Sequence, residues 1–385
     1  MIEGVSEVIY FDNGSTSYPK APGVAEAMAH FLEDGAFNIN RGNYEQAYEI
    51  AGVVLETREM IADLFHAKSS KQVIFTPGIT YSLNYLIKGG LVEGDHVLVT
   101  GLEHNAVMRP LFQMEKQGIQ YDVVPVDQDG TLHIEELEKR IQENTKLVIT
   151  VHVSNVCGTI LPIEEIGKIC EKHGIFFVVD TAQSAGTIDV DMQKAKIDFL
   201  AFTGHKGLLG PQGIGGFVIS DELDQRLTPL IAGGTGSISD QLEMPQMLPD
   251  KYESGTMNLP GIIGLHAALK YLQNTGINNI HKKKMELTAY FLRELKNISG
   301  VRVVGKQEIE NRTAVISLDI EDVDNAVAAF QLESEYRIMT RVGLHCAPVA
   351  HKSLGTYPQG TVRIAFSASN TIEEIDVLVK ALKEL

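Results

Sequence analysis

Lys206, Asp180, His104, Cys346 and Arg363 are the side chains in this 385-residue chain whose types and surroundings could do chemistry. Lys206 closes the turn Thr203-Gly204-His205-Lys206 after an apolar run at 199–202. A glycine-rich stretch with Gly207, Gly210, Gly213, Gly215 and Gly216 follows it. These turn formers place the lysine on a loop at a strand end, where backbone can approach a ligand closely. A lysine held there loses its proton more readily than one on a solvated helix, and a neutral amine forms a Schiff base with a carbonyl. A solvated lysine in a glycine-rich hairpin would leave the same trace. Asp180 ends the apolar run 175–180, and a carboxylate at the carboxyl end of a parallel strand faces the crevice where open α/β sheets bind ligands.

A strand-end aspartate and a later strand-end lysine are the ring-nitrogen partner and Schiff-base residue that pyridoxal phosphate enzymes need. His104 follows the strand 96–100 and could handle a proton. Cys346, in the irregular segment Gly343-Leu344-His345-Cys346, has Arg341 and His345 nearby to favour a thiolate. Cys157 and Cys170 read as small buried residues. Arg363 has the planar fork that pairs bidentately with a carboxylate, although a solvated strand arginine is the bland alternative.

The stretches VVDTAQSAG and TGHKGLLGPQGIGG resemble the signature of class V aminotransferases, and of the cysteine desulfurase and selenocysteine lyase group in particular. EHNAVMRP, YESGTMN, RVGLHCA and GTVRI follow in family order, so the resemblance runs from Tyr10 to the C-terminal helix. It implies that Lys206 holds pyridoxal phosphate, Asp180 pairs its ring nitrogen, His104 stacks on the ring, and Gln183 and Asn155 reach the phenolic oxygen. Gly78, Ile79, Thr80, Thr203 and His205 would hold the phosphate, with Thr256 reaching across a homodimer. Arg363 would grip the substrate carboxylate together with Asn155, and Gly14, Ser15 and Arg341 would line the substrate. R-x-G-x-H-C-A is the wording of a short-loop desulfurase subgroup, which makes Cys346 the sulfur carrier. The chain departs from the pattern at Asn40, Ile79 and Leu344. L-cysteine is the implied substrate, L-selenocysteine a rival, and a protein the probable sulfur acceptor. Another carbon–sulfur lyase or transaminase on the same scaffold, or an inactive binding scaffold, would also carry these motifs.

The elements that must position these residues alternate strand and helix from 73 to 219, a pattern for a mostly parallel sheet covered on both faces. Strands are expected at 73–75, 96–100, 121–126, 147–153 and 175–180. Helices are expected at 21–33, 45–65, 134–143, 163–172 and 261–296, the last with a surface basic patch at 281–284. The implied architecture is the fold-type I pyridoxal phosphate transferase: a large α/β domain at 14–257 with a sheet of seven-stranded type, and a small α+β domain at 258–385 joined by 1–13. Such a length accommodates two domains. A formal charge of −17 argues against nucleic acid or an anionic membrane as partner. No signal pattern or membrane-length apolar run is present, and three cysteines make no disulfide framework, so a cytoplasmic location is expected. No metal site is expected.

Overall fold

A computed structural model of the chain describes residues 8–39, 42–238 and 240–385. The departure at Asn40 lies outside the described residues. The strands are β1 (Ile9–Tyr10), β2 (Val73–Thr76), β3 (His96–Thr100), β4 (Gln120–Val124), β5 (Thr145–Val151), β6 (Phe176–Asp180), β7 (Phe199–Thr203), β8 (Gly215–Ile219), β9 (Val301–Val304), β10 (Val315–Ile320), β11 (Ile338–Met339), β12 (Arg341–Gly343) and β13 (Thr361–Ala365). The helices are α1 (Val24–Asp34), α2 (Glu45–Leu64), α3 (Ile79–Gly90), α4 (Asn105–Glu115), α5 (Ile134–Lys139), α6 (Ile163–His173), α7 (Asp221–Asp224), α8 (Leu259–Thr275), α9 (Ile277–Leu295), α10 (Asn325–Tyr336), α11 (Pro348–Ser353) and α12 (Ile372–Glu384).

The large sheet has seven strands in the order β2-β8-β7-β6-β5-β3-β4, parallel except for β8, which runs antiparallel to both neighbours. Its central strands are apolar on both faces, because helices cover both sides. From β3 the chain steps outward to β4, then returns to β5 and continues the other way through β6 and β7. That reversal opens a crevice at the carboxyl ends of β3 and β5, the usual ligand position in such sheets. This is the fold-type I architecture.

A second sheet, β12-β13-β10-β9, is antiparallel throughout and packs with α9 and α12 around Phe291, Phe366 and Leu378. The short β1 pairs with β11, and Phe11 joins this smaller core. Thr371 and Glu374 form a capping box that starts α12.

Several boundaries move for local reasons. β4 ends before Pro125, which lacks a ladder donor. The helix expected at 134–143 stops at Lys139. The stretch 261–296 is two helices, broken at Gly276, whose φ of 80° lies in the left-handed region. The residues of α8 pack in the core beneath the large sheet, beside α2. Lys282 and Lys283 are exposed as expected of a basic surface patch, but His281 and Lys284 are partly buried. No helix among the described residues is long and apolar enough to cross a membrane.

Candidate active site

The residues singled out in the large sheet follow the carboxyl ends of parallel strands, so one edge of the sheet gathers them. Asp180 ends β6, 2% exposed, and its Oδ1 accepts from the Ala182 N–H at 2.9 Å. Burial raises its carboxyl above the usual range, while the charge of Lys206 opposes that rise. Lys206 follows β7. Burial lowers its amine to about 8, against the pull of Asp180 and with help from Arg363 and Arg341. A useful fraction of this lysine is therefore neutral near pH 7.

His104 caps α4: its Nδ1 accepts from the Ala106 N–H at 3.0 Å, which leaves the ring proton on Nε2. Burial, then the charges of Lys206, Arg363 and Arg109, lower it to about 4, so it is neutral at pH 7. Gln183 donates one amide N–H to the Gly14 carbonyl at 2.8 Å and makes no second bond among the described residues. His205 is likewise lowered to about 4, by burial, Lys206 and Lys20, and its buried Nδ1 has no partner. Gly78 begins α3, and a Cβ there would stand 3.8 Å from Thr203 Oγ1, so the helix start faces the end of β7. Ile79 and the exposed Thr80 lie in the first turn of α3. A helix start with free N–H groups is a ready anion site.

The small sheet brings Arg363 against this edge. Arg363 is 3% exposed; its Nη1 donates to the Asn155 carbonyl at 3.0 Å, and its Nη2 donates to Asp12 Oδ1 at 3.0 Å and Ser15 Oγ at 2.7 Å. Its Nε is buried without a partner. Arg341 stands opposite Arg363 in the β12–β13 pairing, and its Nη1 lies 3.9 Å from Asp12 Oδ2. A Cβ on Gly14 would sit 3.0 Å from Arg363 Cζ, so any larger residue would push the guanidinium aside by a few tenths of an ångström. Asn155 donates to the His345 carbonyl at 2.8 Å, while its buried Oδ1 has no partner.

Cys346 is the exposed cysteine, whereas Cys157 and Cys170 are buried. His345 and Cys346 both have positive φ, 48° and 57°, a strained pair for residues with side chains. The turn is tied down where the Asn105 N–H, at the start of α4, donates to the Cys346 carbonyl at 2.8 Å. Cys346 lies within electrostatic reach of both Lys206 and Arg363. His345 does not supply the positive neighbour expected of it. It is 6% exposed, faces Thr361 Oγ1 at 2.9 Å, and burial lowers it to about 2. Arg341 and Arg363 carry the local positive charge instead.

The aminotransferase class-V family model matches residues 9–378. The chain belongs to the aminotransferase class-V family. It is 34% identical to a probable cysteine desulfurase of Methanothermobacter thermautotrophicus, over 98% of this chain and 94% of that protein. It is 35% identical, with the same coverage, to a probable cysteine desulfurase of Pyrococcus abyssi. The apo structure of the cysteine desulfurase from Thermococcus onnurineus NA1 superimposes with a TM-score of 0.91 at 33% identity, covering 98% of this chain and 94% of that one. The cofactor of this family is pyridoxal phosphate.

The donor set fits that cofactor. A buried carboxylate, an ionisable lysine, two neutral histidines and a helix start surround the crevice, and the unpartnered His205 Nδ1, Asn155 Oδ1 and Arg363 Nε are buried polar atoms that call for a ligand. Thr256 is the residue that the structure leaves apart. It is exposed, beside Pro77 and Tyr81, on a loop held by Glu253, which accepts from Arg58 and from the Phe75 N–H. Two acids were missed by sequence reasoning. Asp12, just past β1, pairs with Arg363. Glu103 is fully buried and raised to about 8, chiefly by burial, and accepts from Thr100 Oγ1 and the Val151 N–H. Nothing in its spacing distinguishes it from a solvated strand-end acid.

Proposed function

We infer that the chain is a pyridoxal-phosphate-dependent cysteine desulfurase, which converts L-cysteine to L-alanine and passes the sulfur through a persulfide on Cys346 to a protein acceptor. One observation carries the reading. The exposed Cys346 stands on a turn bonded to the start of α4 beside His104, within electrostatic reach of Lys206 and Arg363.

When bound, the cofactor supplies an electron sink next to the substrate Cα. Lys206 is its attachment point, and its easily neutralised amine then moves the Cα proton. Asp180 keeps a proton on the ring nitrogen, because a cation there relieves the cost of its burial. The second N–H of Gln183 and the amide of Asn155 orient the phenolic oxygen, and neutral His104 stacks on the ring. Gly78, Ile79, Thr80, Thr203 and His205 hold the phosphate, joined by Thr256 of a second copy in a two-fold dimer. Arg363, steadied by Asp12, Ser15 and the close approach of Gly14, fixes the substrate carboxylate with Asn155 and Arg341 nearby, an orienting effect. The Cys346 thiolate bonds to the substrate sulfur, the carbon–sulfur bond breaks, and the carbon takes a proton to give alanine.

We divide the chain into a large unit that keeps α8, up to about Thr275, and a small unit of the remaining C-terminal residues with the N-terminal strand, since α8 packs in the large core. Free thiols at all three cysteines suit a reducing, cytoplasmic setting.

The test is alanine release from L-cysteine by wild type and Cys346→Ser, with and without a thiol reductant. Reductant should accelerate the wild type while the variant is nearly dead. Equal, slow release by both proteins would remove Cys346 as the sulfur carrier. The same pair assayed on L-selenocysteine separates a dedicated selenocysteine lyase, for which the variant would keep most of its rate.

A further inference from the structure

A cavity of about 390 Å³ lies against Gly14, Gln183 and Lys206 but is lined by none of His104, Asp180, Thr203, Asn155, Arg363 or Cys346. It borders the catalytic crevice through those three residues and is otherwise walled by the 19–22 segment, by Tyr271 of α8, by Ile280 and Lys284 of α9, and by the 365–369 segment that leaves β13. Three lysines reach it, Lys20, Lys206 and Lys284, and among the described residues no aspartate or glutamate lines it.

The two lysines outside the catalytic site differ in how they are satisfied. Lys20 donates to Thr16 Oγ1, Ser17 Oγ and the His205 carbonyl, three neutral acceptors at 3.0–3.2 Å, so its donors are used but its charge has no counter-ion. Lys284 has neither a hydrogen-bond acceptor nor an ion-pair partner for its ammonium among the described residues. Burial alone lowers it to about 8, as it does Lys20. A lysine drawn partly out of water with no carboxylate beside it is stabilised by losing its proton or by gaining an anion. The walls also offer hydroxyls from Thr187, Thr313, Ser367 and Ser369 beside apolar Leu209 and Phe366.

We propose that this chamber is a binding site for a small oxoanion, an organic carboxylate or an inorganic phosphate, held by Lys284 and the positive field of Lys20 behind Lys206. The occupant is within reach of the Lys206 turn, because Lys20 is bonded to the carbonyl that precedes Lys206. Anion binding there therefore couples to the Lys206 turn.

The site does not depend on the desulfurase reading and is tested without turnover, on the cofactor-loaded Cys346→Ser protein so that the phosphate cradle at α3 is already filled. Malonate and inorganic phosphate are titrated against chloride at matched ionic strength. A saturable rise in Tm of about 2 °C at tenfold excess over Kd is expected for at least one of them. Which anion acts separates an organic from an inorganic occupant. Lys284→Gln should abolish the rise and Lys284→Arg should keep it. As an independent readout, acetylation of Lys284 followed by mass spectrometry should slow severalfold in the presence of the active anion. An unchanged Tm rise in Lys284→Gln, or Lys284 acetylation that no anion slows, would overturn the proposal.

Discussion

The Lys206 and Cys346 regions meet at one crevice but are built on opposite principles. Lys206, Asp180 and His104 stand at the ends of strands buried on both faces, and burial sets their protonation states. Cys346 stands exposed on a left-handed turn between the short strand β12 and the short helix α11, tied by one backbone bond to α4. Chemistry that depends on perturbed pKa values needs a dry, rigid frame. Handing sulfur to another protein needs a side chain that solvent and a partner can reach. The other two thiols show the contrast within one residue type. Cys170 lies 1% exposed in the core, where burial holds its thiol far above the usual range, and Cys157 is fully buried.

The sharpest way to break this comparison is to remove one half and ask whether the other survives. Lys206→Ala should lower alanine release by about 10⁴-fold or more and abolish the absorbance of lysine-bound cofactor. Cys346→Ala should lower release by on the order of 10³-fold yet keep that absorbance and the exchange of the substrate Cα proton in heavy water. Loss of exchange in Cys346→Ala would mean that the two regions are not separable. Next in size is Gly14→Ala, whose Cβ would press on Arg363. It should raise KM for L-cysteine by about tenfold or more, with cofactor binding intact.

The frame itself can be tested through the Arg58–Glu253 pair, both partners under 10% exposed, which holds the Thr256 loop against β2. Arg58→Met leaves a buried carboxylate unpaired and should cost about 3–5 kcal/mol in denaturant unfolding. The most gradual effect, smallest per pH unit and per residue, is a pH dependence. His152, His345 and His351 are buried, with folded-state values lowered from 6.5 to about 4, about 2 and about 4. Below pH 6.5 the unfolded chain binds protons that these residues refuse, so stability is full above about 6.5 and is lost as pH falls toward 4. The slope is at most about 1.4 kcal/mol per pH unit for each histidine. Unfolding midpoints that stay flat between pH 7 and 4.5 would show that these rings are not held neutral.

Much of the site was legible because strand ends carry it. Asp180 and Lys206 follow apolar runs that can only be buried strands, and glycines around Lys206 mark a turn. The burial of Cys170 was legible because it falls on the apolar stripe of α6 with Ile163 and Ile166, whereas Cys346 falls in an irregular segment and only the family resemblance singled it out. His345 misled because a histidine beside a thiol reads as a cation until its burial is known. Lys284 read as surface because it follows Lys282 and Lys283, and only the packing of α9 against the 365–369 segment turns it inward.

The sequence by itself determined the alternation of strands and helices, the order of the motifs and the residue types at the strand ends, because hydrophobic periodicity and turn chemistry are local properties. The tertiary structure decided what local chemistry cannot. It set Asp12 and Gly14 against Arg363 across some 350 positions of chain, joined the Cys346 turn to the start of α4, and chose which charged groups stay charged. Those outcomes depend on burial and on distances between remote segments, and both come into being only when the two sheets pack together.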